Sequence, residues 1–305
     1  MLNNSFDVII IGGSYSGLAA ALALGRSLRD VLIIDSGQPC NRSTPRSHNF
    51  LTQDGKAPGE IASIARDQLR TYHNIHSFAG AASIAEITKA GFNVNVTTGE
   101  RFSARKLILA TGIKDVMLPV KGFADCWGIS VLHCPYCHGY EVRHQPTGIL
   151  ANGDYAYEFA ALINNWTQDL TLFTNGPSTL TTQQSERLRA RSIRIVENEI
   201  AEVQHLNGYI QSITFEDGTN AVVKAIYARP PFHQHSGIPE RLGCELTEEG
   251  YIRVDLMQKT SIPGVFACGD NTGPMRTVAN AVATGTTAGM MVNKELILEE
   301  FAPVV

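Results

Sequence analysis

Apolar positions along the chain fall into a repeating succession: a short near-continuous apolar run, a glycine-bearing turn, an Ala-rich stretch of helix length, and a second apolar run. The first instance runs from Asp7 to Asp35, through DVIII, the turn Gly12-Gly13-Ser14-Tyr15-Ser16-Gly17, and VLIID. Apolar runs of four to eight residues bounded by turn residues predict strands buried on both faces. A helix between two such strands is a βαβ unit. The same succession returns 139 residues on, where Pro146 to Thr174 lies over Asp7 to Asp35 without a gap. Two βαβ units a domain's length apart predict an α/β protein of two Rossmann-like nucleotide-binding domains.

The rest of the pattern has no third copy and must join one of these. Arg105 to Gly112 reads as a strand ending in a turn, Ile262 to Asp270 as another, and Thr277 to Leu298 as a helix. Polar, Gly and Pro residues collect at Lys114 to Gly122 and at Pro239 to Glu249, where the hinges are expected. This places a discontinuous first domain at 1–117 and 243–305, with the second domain inserted at 118–242.

Composition narrows the partners. The 305 residues are 44% hydrophobic and 18% charged, which excludes a disordered polymer. The net charge is −4 with no long run of one sign, so neither a nucleic-acid stripe nor a polybasic membrane patch is expected. Val8 to Leu24 is uncharged but punctuated by glycines, and no other stretch is suited to span a bilayer, so a cytoplasmic location is expected. Of six cysteines only Cys134 and Cys137 lie close together. In a reducing compartment that spacing points to redox chemistry or metal.

The first turn has the context of a dinucleotide fingerprint, following a strand and opening a helix. Gly12 permits the tight turn, Gly17 lets helix and strand pack closely, and Ser14 stands in for the middle glycine while keeping an oxygen near the phosphates. Free N–H groups at the helix N-terminus suit a pyrophosphate, and Asp35 closes the second strand where ribose hydroxyls are accepted.

With Ala110-Thr111-Gly112 and Gly264-Val-Phe-Ala-Cys-Gly269-Asp270 each closing a later strand, the order of elements resembles that of flavoprotein reductases. Trp127-Gly-Ile-Ser-Val-Leu-His-Cys134-Pro-Tyr-Cys137-His-Gly-Tyr is similar to the redox-active segment of the low-molecular-weight thioredoxin reductases, and this likeness covers nearly the whole chain. The resemblance implies FAD held by Gly12, Ser14, Gly17, Asp35, Ala110, Thr111, Gly112, Gly269, Asp270, Arg276 and Thr277. Asp270 would take a ribityl hydroxyl, and the helix after Arg276 would face the flavin pyrimidine. It also implies that Cys137 lies against the flavin while Cys134 is the interchange thiol, in a homodimer built on the FAD domain. Arg46 to Phe50 falls where the family lines the flavin, making His48 and Asn49 candidates for contact with it.

His138 stands where the family usually has an acidic general acid, and a histidine there is closer to the branch that oxidises small cyclic dithiols. His133 and His138 flank the pair and are suited to move protons. A zinc site from Cys126, Cys134, Cys137 and a histidine, in a nucleotide-binding module without turnover, is the alternative from another class. Cys40, Cys244 and Cys268 read as packing or surface thiols, Cys268 as buried, and His233 and His235 as part of a solvated loop.

The second glycine turn, Ala151-Asn152-Gly153-Asp154-Tyr155-Ala156, lacks the tight-turn glycine. Thr174-Asn175-Gly176 stands where NADPH-dependent members carry arginines for the 2′-phosphate, and Arg187, Arg189 and Arg191 lie beyond it. The expectation is an FAD-dependent disulfide oxidoreductase with a degenerate NADPH site, acting on a thioredoxin-like protein or a small dithiol or disulfide. NAD(P)H-dependent thioredoxin reduction, electron supply by NADH or a redox carrier, and dithiol oxidation by oxygen stand beside it.

Overall fold

In the computed structural model, which describes residues 4–302, the first apolar run is the strand Ser5–Ile11, with Val8, Ile9 and Ile10 wholly buried. Its two faces enter different cores. Ile9 and Ile11 join Leu32, Ile34, Leu107 and Leu109, whereas Val8 and Ile10 join Val31, Ile33 and Ile108. Covering both faces is what a parallel sheet requires, and it explains why the sequence shows runs rather than alternation. Val8 pairs with Val31 on one edge, and Ile11 with Leu109 on the other. The sheet runs Ile75–Ala79, Val31–Asp35, Ser5–Ile11, Arg101–Leu109, then the antiparallel Gly91–Val96 and Ala82–Thr88. Val265–Ala267 pairs in parallel with the C-terminal end of Arg101–Leu109, bringing Ala267 beside Leu109.

These elements form one of two units, comprising residues 4–42, 50–114 and 232–302 of those described. The other comprises Ser43–Asn49 and Asp115–Pro231. In the first unit the helices Tyr15–Arg26 and Val278–Phe301 share the second core, through Leu18, Ala21 and Leu24 on one and Ala288, Val292 and Leu296 on the other. Their axes approach closely because Gly285 and Gly289 lack side chains: a Cβ on Gly285 would lie 2.1 Å from the Ser16 carbonyl oxygen. Gly285→Ala is therefore expected to destabilise the unit by about 1–3 kcal/mol through forced separation of the helices. Gly59→Ala, in the helix Pro58–Leu69 with open space around it, leaves stability unchanged or slightly raised. Thermal melts of the two variants check this, and equal melting temperatures would refute the close-approach argument.

The second unit holds the repeat. Thr147–Leu150, Gly153–Ile163 and Leu170–Phe173 are its strand, helix and strand, and the two strands are parallel with Thr147 opposite Leu170. The sheet order is Arg194–Val196, Leu170–Phe173, Thr147–Leu150, Ala225–Ala228, Val131–Leu132, all parallel. A three-stranded antiparallel meander, Ile200–Leu206, Tyr209–Phe215 and Asn220–Ala221, packs Val203, Ile210 and Ile213 into the same core as Phe173 and Ile226. The α/β architecture of two Rossmann-like units is thus as the repeat predicted.

Local boundaries differ from the sequence reading for identifiable reasons. The strand expected over Ile262 to Asp270 is only Val265–Ala267, because Val265 N–H donates to the Ile262 carbonyl and closes a turn before it. The last helix runs to Phe301, where Arg29 and Arg105 pair with Glu300. Residues 232–242 sit with the first unit, since Ile238 and Leu242 of the helix Ile238–Leu242 enter its core beside Cys244 and Ile252. No helix among the described residues is long and apolar enough to cross a membrane.

Candidate active site

In the first unit the glycine turn is built by contacts that a side chain would destroy. Gly12 has φ +109°, and a Cβ there would lie 2.2 Å from the Ala110 carbonyl oxygen; a Cβ on Gly17 would lie 1.9 Å from the Gly12 carbonyl oxygen. Ser14 is the N-cap of Tyr15–Arg26, and its side chain makes no capping bond to the first N–H groups of the helix. Asp35 ends its strand beside Gly13, where a Cβ would meet the Asp35 side chain at 2.8 Å.

The two later elements close on the same turn. Ala110, Thr111 and Gly112 follow the strand Arg101–Leu109, with Gly112 at φ +65°. Gly269, at φ +86°, sits where a Cβ would lie 2.6 Å from Ser16 Oγ. Asp270 follows it, with Arg276 Nε at 3.8 Å and Cys40 Sγ at 3.6 Å from its Oδ2. Thr277 is the N-cap of the last helix and accepts from Asn280 N–H at 3.1 Å. Asn271 is a residue the sequence reading missed. Wholly buried, it donates from Nδ2 to the Leu109 carbonyl at 2.9 Å and to Thr111 Oγ1 at 3.3 Å, tying the two strand-end turns together. Its Oδ1 is buried with no hydrogen-bond partner among the described residues.

In the second unit Cys134 and Cys137 form a disulfide, their Cα atoms 5.3 Å apart. Cys134 is the N-cap of the short helix Pro135–His138, and its Sγ accepts from Cys137 N–H at 3.1 Å. Cys134 is partly exposed, whereas Cys137 is 9% exposed. His138 is half-buried, and burial first, then the nearby His48 imidazole, hold its pKa down to about 4. It is therefore neutral at pH 7, a proton acceptor before it is a donor. Between its usual value and about pH 4 the unfolded chain binds a proton that the folded site refuses, so this residue's contribution to stability falls as pH falls through that window. His133 stacks obliquely on Trp127, their ring centroids 6.0 Å apart. Exposed Tyr136 stands edge-on to Trp166 at 5.5 Å.

The four ligands of the zinc alternative do not assemble. Cys134 and Cys137 are spent on each other, and Cys126 is wholly buried with its thiol pushed up to about 11 by burial. Among the described residues no group of three or more His, Cys, Asp or Glu is placed to hold a metal ion. Cys268 is buried and Cys40 exposed; His233 and His235 are exposed on either side of Gln234, which donates to the Gly250 and Asn271 carbonyls. His48 and Asn49 belong to the second unit, and His48 meets His138.

The second glycine turn is closed from within. Asn152 caps the helix Gly153–Ile163, and its Oδ1 accepts from Gly153 N–H at 2.9 Å and from Thr179 N–H at 2.8 Å and Oγ1 at 3.1 Å. Its Nδ2 donates to the Pro177 carbonyl at 2.9 Å. Thr174 turns its hydroxyl inward to the Gly176 carbonyl, and Asn175 Oδ1 accepts from Ile200 N–H. Glu197 Oε2 accepts from Ser178 N–H at 3.3 Å. Arg187, on the helix Thr182–Arg189, is directed to Tyr157 OH.

One unit with an open glycine turn on which three strand-end elements converge, and a second with a Cys-X-X-Cys disulfide at a helix start, define a flavoprotein disulfide oxidoreductase. The model of the pyridine nucleotide-disulphide oxidoreductase family matches residues 6–285, and the chain belongs to that family. It is 34% identical over 308 residues to the thioredoxin reductase tcpT of Claviceps purpurea (strain 20.1), covering 97% of this chain and 96% of that protein. It is 32% identical to the thioredoxin reductase sirT of Leptosphaeria maculans, covering 97% and 96%. Among solved structures, an oxidoreductase from Agrobacterium tumefaciens superposes with a TM-score of 0.90 at 38% identity, covering 96% of this chain and 99% of that one. The resemblance to thioredoxin reductases is borne out, and with it FAD as the cofactor.

Proposed function

We propose that the chain oxidises or reduces a small dithiol/disulfide through the Cys134–Cys137 pair, with FAD in the first unit and little use of NADPH. The observation that carries this reading is the Cys134–Cys137 disulfide beside a histidine held neutral by burial. FAD would be held by Gly12, Ser14, Gly17, Asp35, Ala110, Thr111, Gly112, Gly269, Asp270, Arg276 and Thr277. When bound, it supplies the two-electron acceptor and donor with which the cysteine pair is turned over.

In the oxidative direction a thiolate of the substrate attacks Sγ of Cys134, the more exposed residue of the pair. The Cys134–Cys137 bond breaks, and Cys137 leaves as a thiolate. Neutral His138 takes the proton released as the substrate thiol ionises. The second substrate thiol then attacks its own partner sulfur in the mixed disulfide, closing the product as its proton passes to the departing Cys134 thiolate. Two electrons and two protons have passed from substrate to enzyme. The reverse sequence reduces a disulfide, with His138 returning the proton to the departing thiolate.

The reading of the second nucleotide site rests on Asn152 and Thr179 filling the place where a dinucleotide turn offers its N–H groups, and on Glu197 beside the ribose loop. Anaerobic titration of the yellow protein with NADPH, NADH and a dithiol, followed by flavin bleaching, tests it. Bleaching by the dithiol is expected, with no more than a few-fold advantage of NADPH over NADH. A hundredfold NADPH preference, about 2.7 kcal/mol, would overturn the reading. Thioredoxin as the substrate is the second reading, favoured by the thioredoxin reductases among the relatives.

A further inference from the structure

The segment Ser43–Asn49 packs with the second unit although the chain on both sides of it belongs to the first. Ordering such an excursion costs about 1–2 kcal/mol per residue, so its contacts must repay it. Three do so visibly. Thr44 lies against Gly128, where a Cβ would meet Thr44 Oγ1 at 2.9 Å, and Ser47 is 6% exposed. His48, the third, reaches the redox helix: its ring stands edge-on to that of His138, centroids 6.5 Å apart at 86°, and its Nε2 lies 3.6 Å from Glu141 Oε1. Asn49 then takes φ +59°, a left-handed conformation that asparagine tolerates, and the chain turns back.

We propose that His48, held by Glu141, is a positioning residue for His138, fixing the orientation in which that imidazole exchanges protons at the Cys134–Cys137 pair. This rests on the redox reading of the pair given above. His138 follows Cys137 directly, so its backbone place is set by the helix but its ring is set by what it packs against. His48 supplies an edge, and Glu141, on the turn after the same helix, holds that edge in place from the outside. Tyr227, on Ala225–Ala228, has a buried hydroxyl that burial, and then Glu141, push well above its usual range. Arg143 is turned onto the Tyr140 ring at 3.8 Å, and His133 lies against Trp127. The burial that keeps His138 neutral is partly the work of His48, and so is the like-charge repulsion that would oppose its protonation.

The experiment compares the wild-type protein with His48→Ala and His48→Gln by two readouts: NMR titration of the His138 ring and the pH profile of the dithiol step. In His48→Ala the midpoint of His138 rises from about 4 toward about 6, since burial and repulsion are both relieved. The dithiol step then loses about tenfold at pH 5 and much less at pH 8, because only the neutral imidazole accepts the proton. His48→Gln keeps a donor toward Glu141 and recovers part of the rate at pH 5. An unmoved His138 midpoint with an unchanged pH profile in folded His48→Ala overturns the proposal while leaving the redox reading intact. A moved midpoint in a protein whose wild type turns over no dithiol supports the positioning and overturns the redox reading instead.

Discussion

Cys134→Ser and Cys137→Ser are each expected to lower dithiol turnover by a factor of about 1,000 or more, because neither sulfur alone can pass on two electrons. The two variants part on what they capture. Cys134 is the more exposed residue of the pair, Cys137 being 9% exposed, so an external thiol or disulfide is expected to meet Cys134 first. Cys134 also keeps the Cys137 N–H as a donor to its sulfur, a contact that favours the thiolate and that Cys137→Ser preserves. The Cys137→Ser protein should therefore accumulate one mixed-disulfide adduct on Cys134 within minutes of mixing with a small disulfide, read by intact mass and peptide mapping. Cys134→Ser should label slowly at that segment. Background is small for the buried thiols: burial raises Cys126 to about 11 and Cys268 to about 12, leaving little thiolate at pH 7. Exposed Cys40 is the competing site, and a Cys40→Ser background removes it. The reverse labelling pattern would exchange the roles of the two cysteines, and labelling of neither would end the redox reading.

What the sequence made legible is what is local or periodic. The βαβ repeat is written in apolar runs because its strands are buried on both faces, and Asp7 to Asp35 and Pro146 to Thr174 both fold as read. The glycines of the first turn and the two cysteines are close in the chain, so spacing alone brought them together. The polar contacts that finish each site are long-range and leave no periodic mark. Asn271 reaches Leu109 across 162 positions, and Asn152 reaches Thr179 across 27. The second turn was read for its missing tight-turn glycine at Ala151, and the side chain of the neighbouring Asn152, which that reading passed over, closes the turn. The excursion that delivers His48 was invisible for a like reason: Arg46 to Phe50 has no pattern of its own, and only tertiary packing assigns Ser43–Asn49 to the second unit. Burial likewise sets the proton affinity of His138, which its place after Cys137 does not reveal.

Asp270→Ala is expected to be purified with less than about a tenth of the FAD held by the wild type. The residue stands at the convergence of the first unit's turns, next to Gly269, which has room for no side chain against Ser16. Its carboxylate is an acceptor at the end of a buried strand, with Arg276 Nε 3.8 Å away. A hydroxyl bound to such a carboxylate contributes about 1.5–3 kcal/mol, or about 10- to 150-fold in affinity. The turn itself does not depend on that side chain. Thr272 donates to the Gly269 carbonyl from N–H at 3.1 Å and from Oγ1 at 2.8 Å, and Asn271 remains anchored to Leu109. The variant should therefore fold, with unchanged far-ultraviolet circular dichroism, and lose cofactor rather than structure. Absorbance at the flavin band relative to protein, followed by reconstitution with added FAD, measures the loss. Asp270→Asn keeps one acceptor oxygen without the charge and should fall between the two. Full FAD retention by folded Asp270→Ala would remove Asp270 from the binding set and shift the weight to Asn271, whose buried Oδ1 has no partner among the described residues.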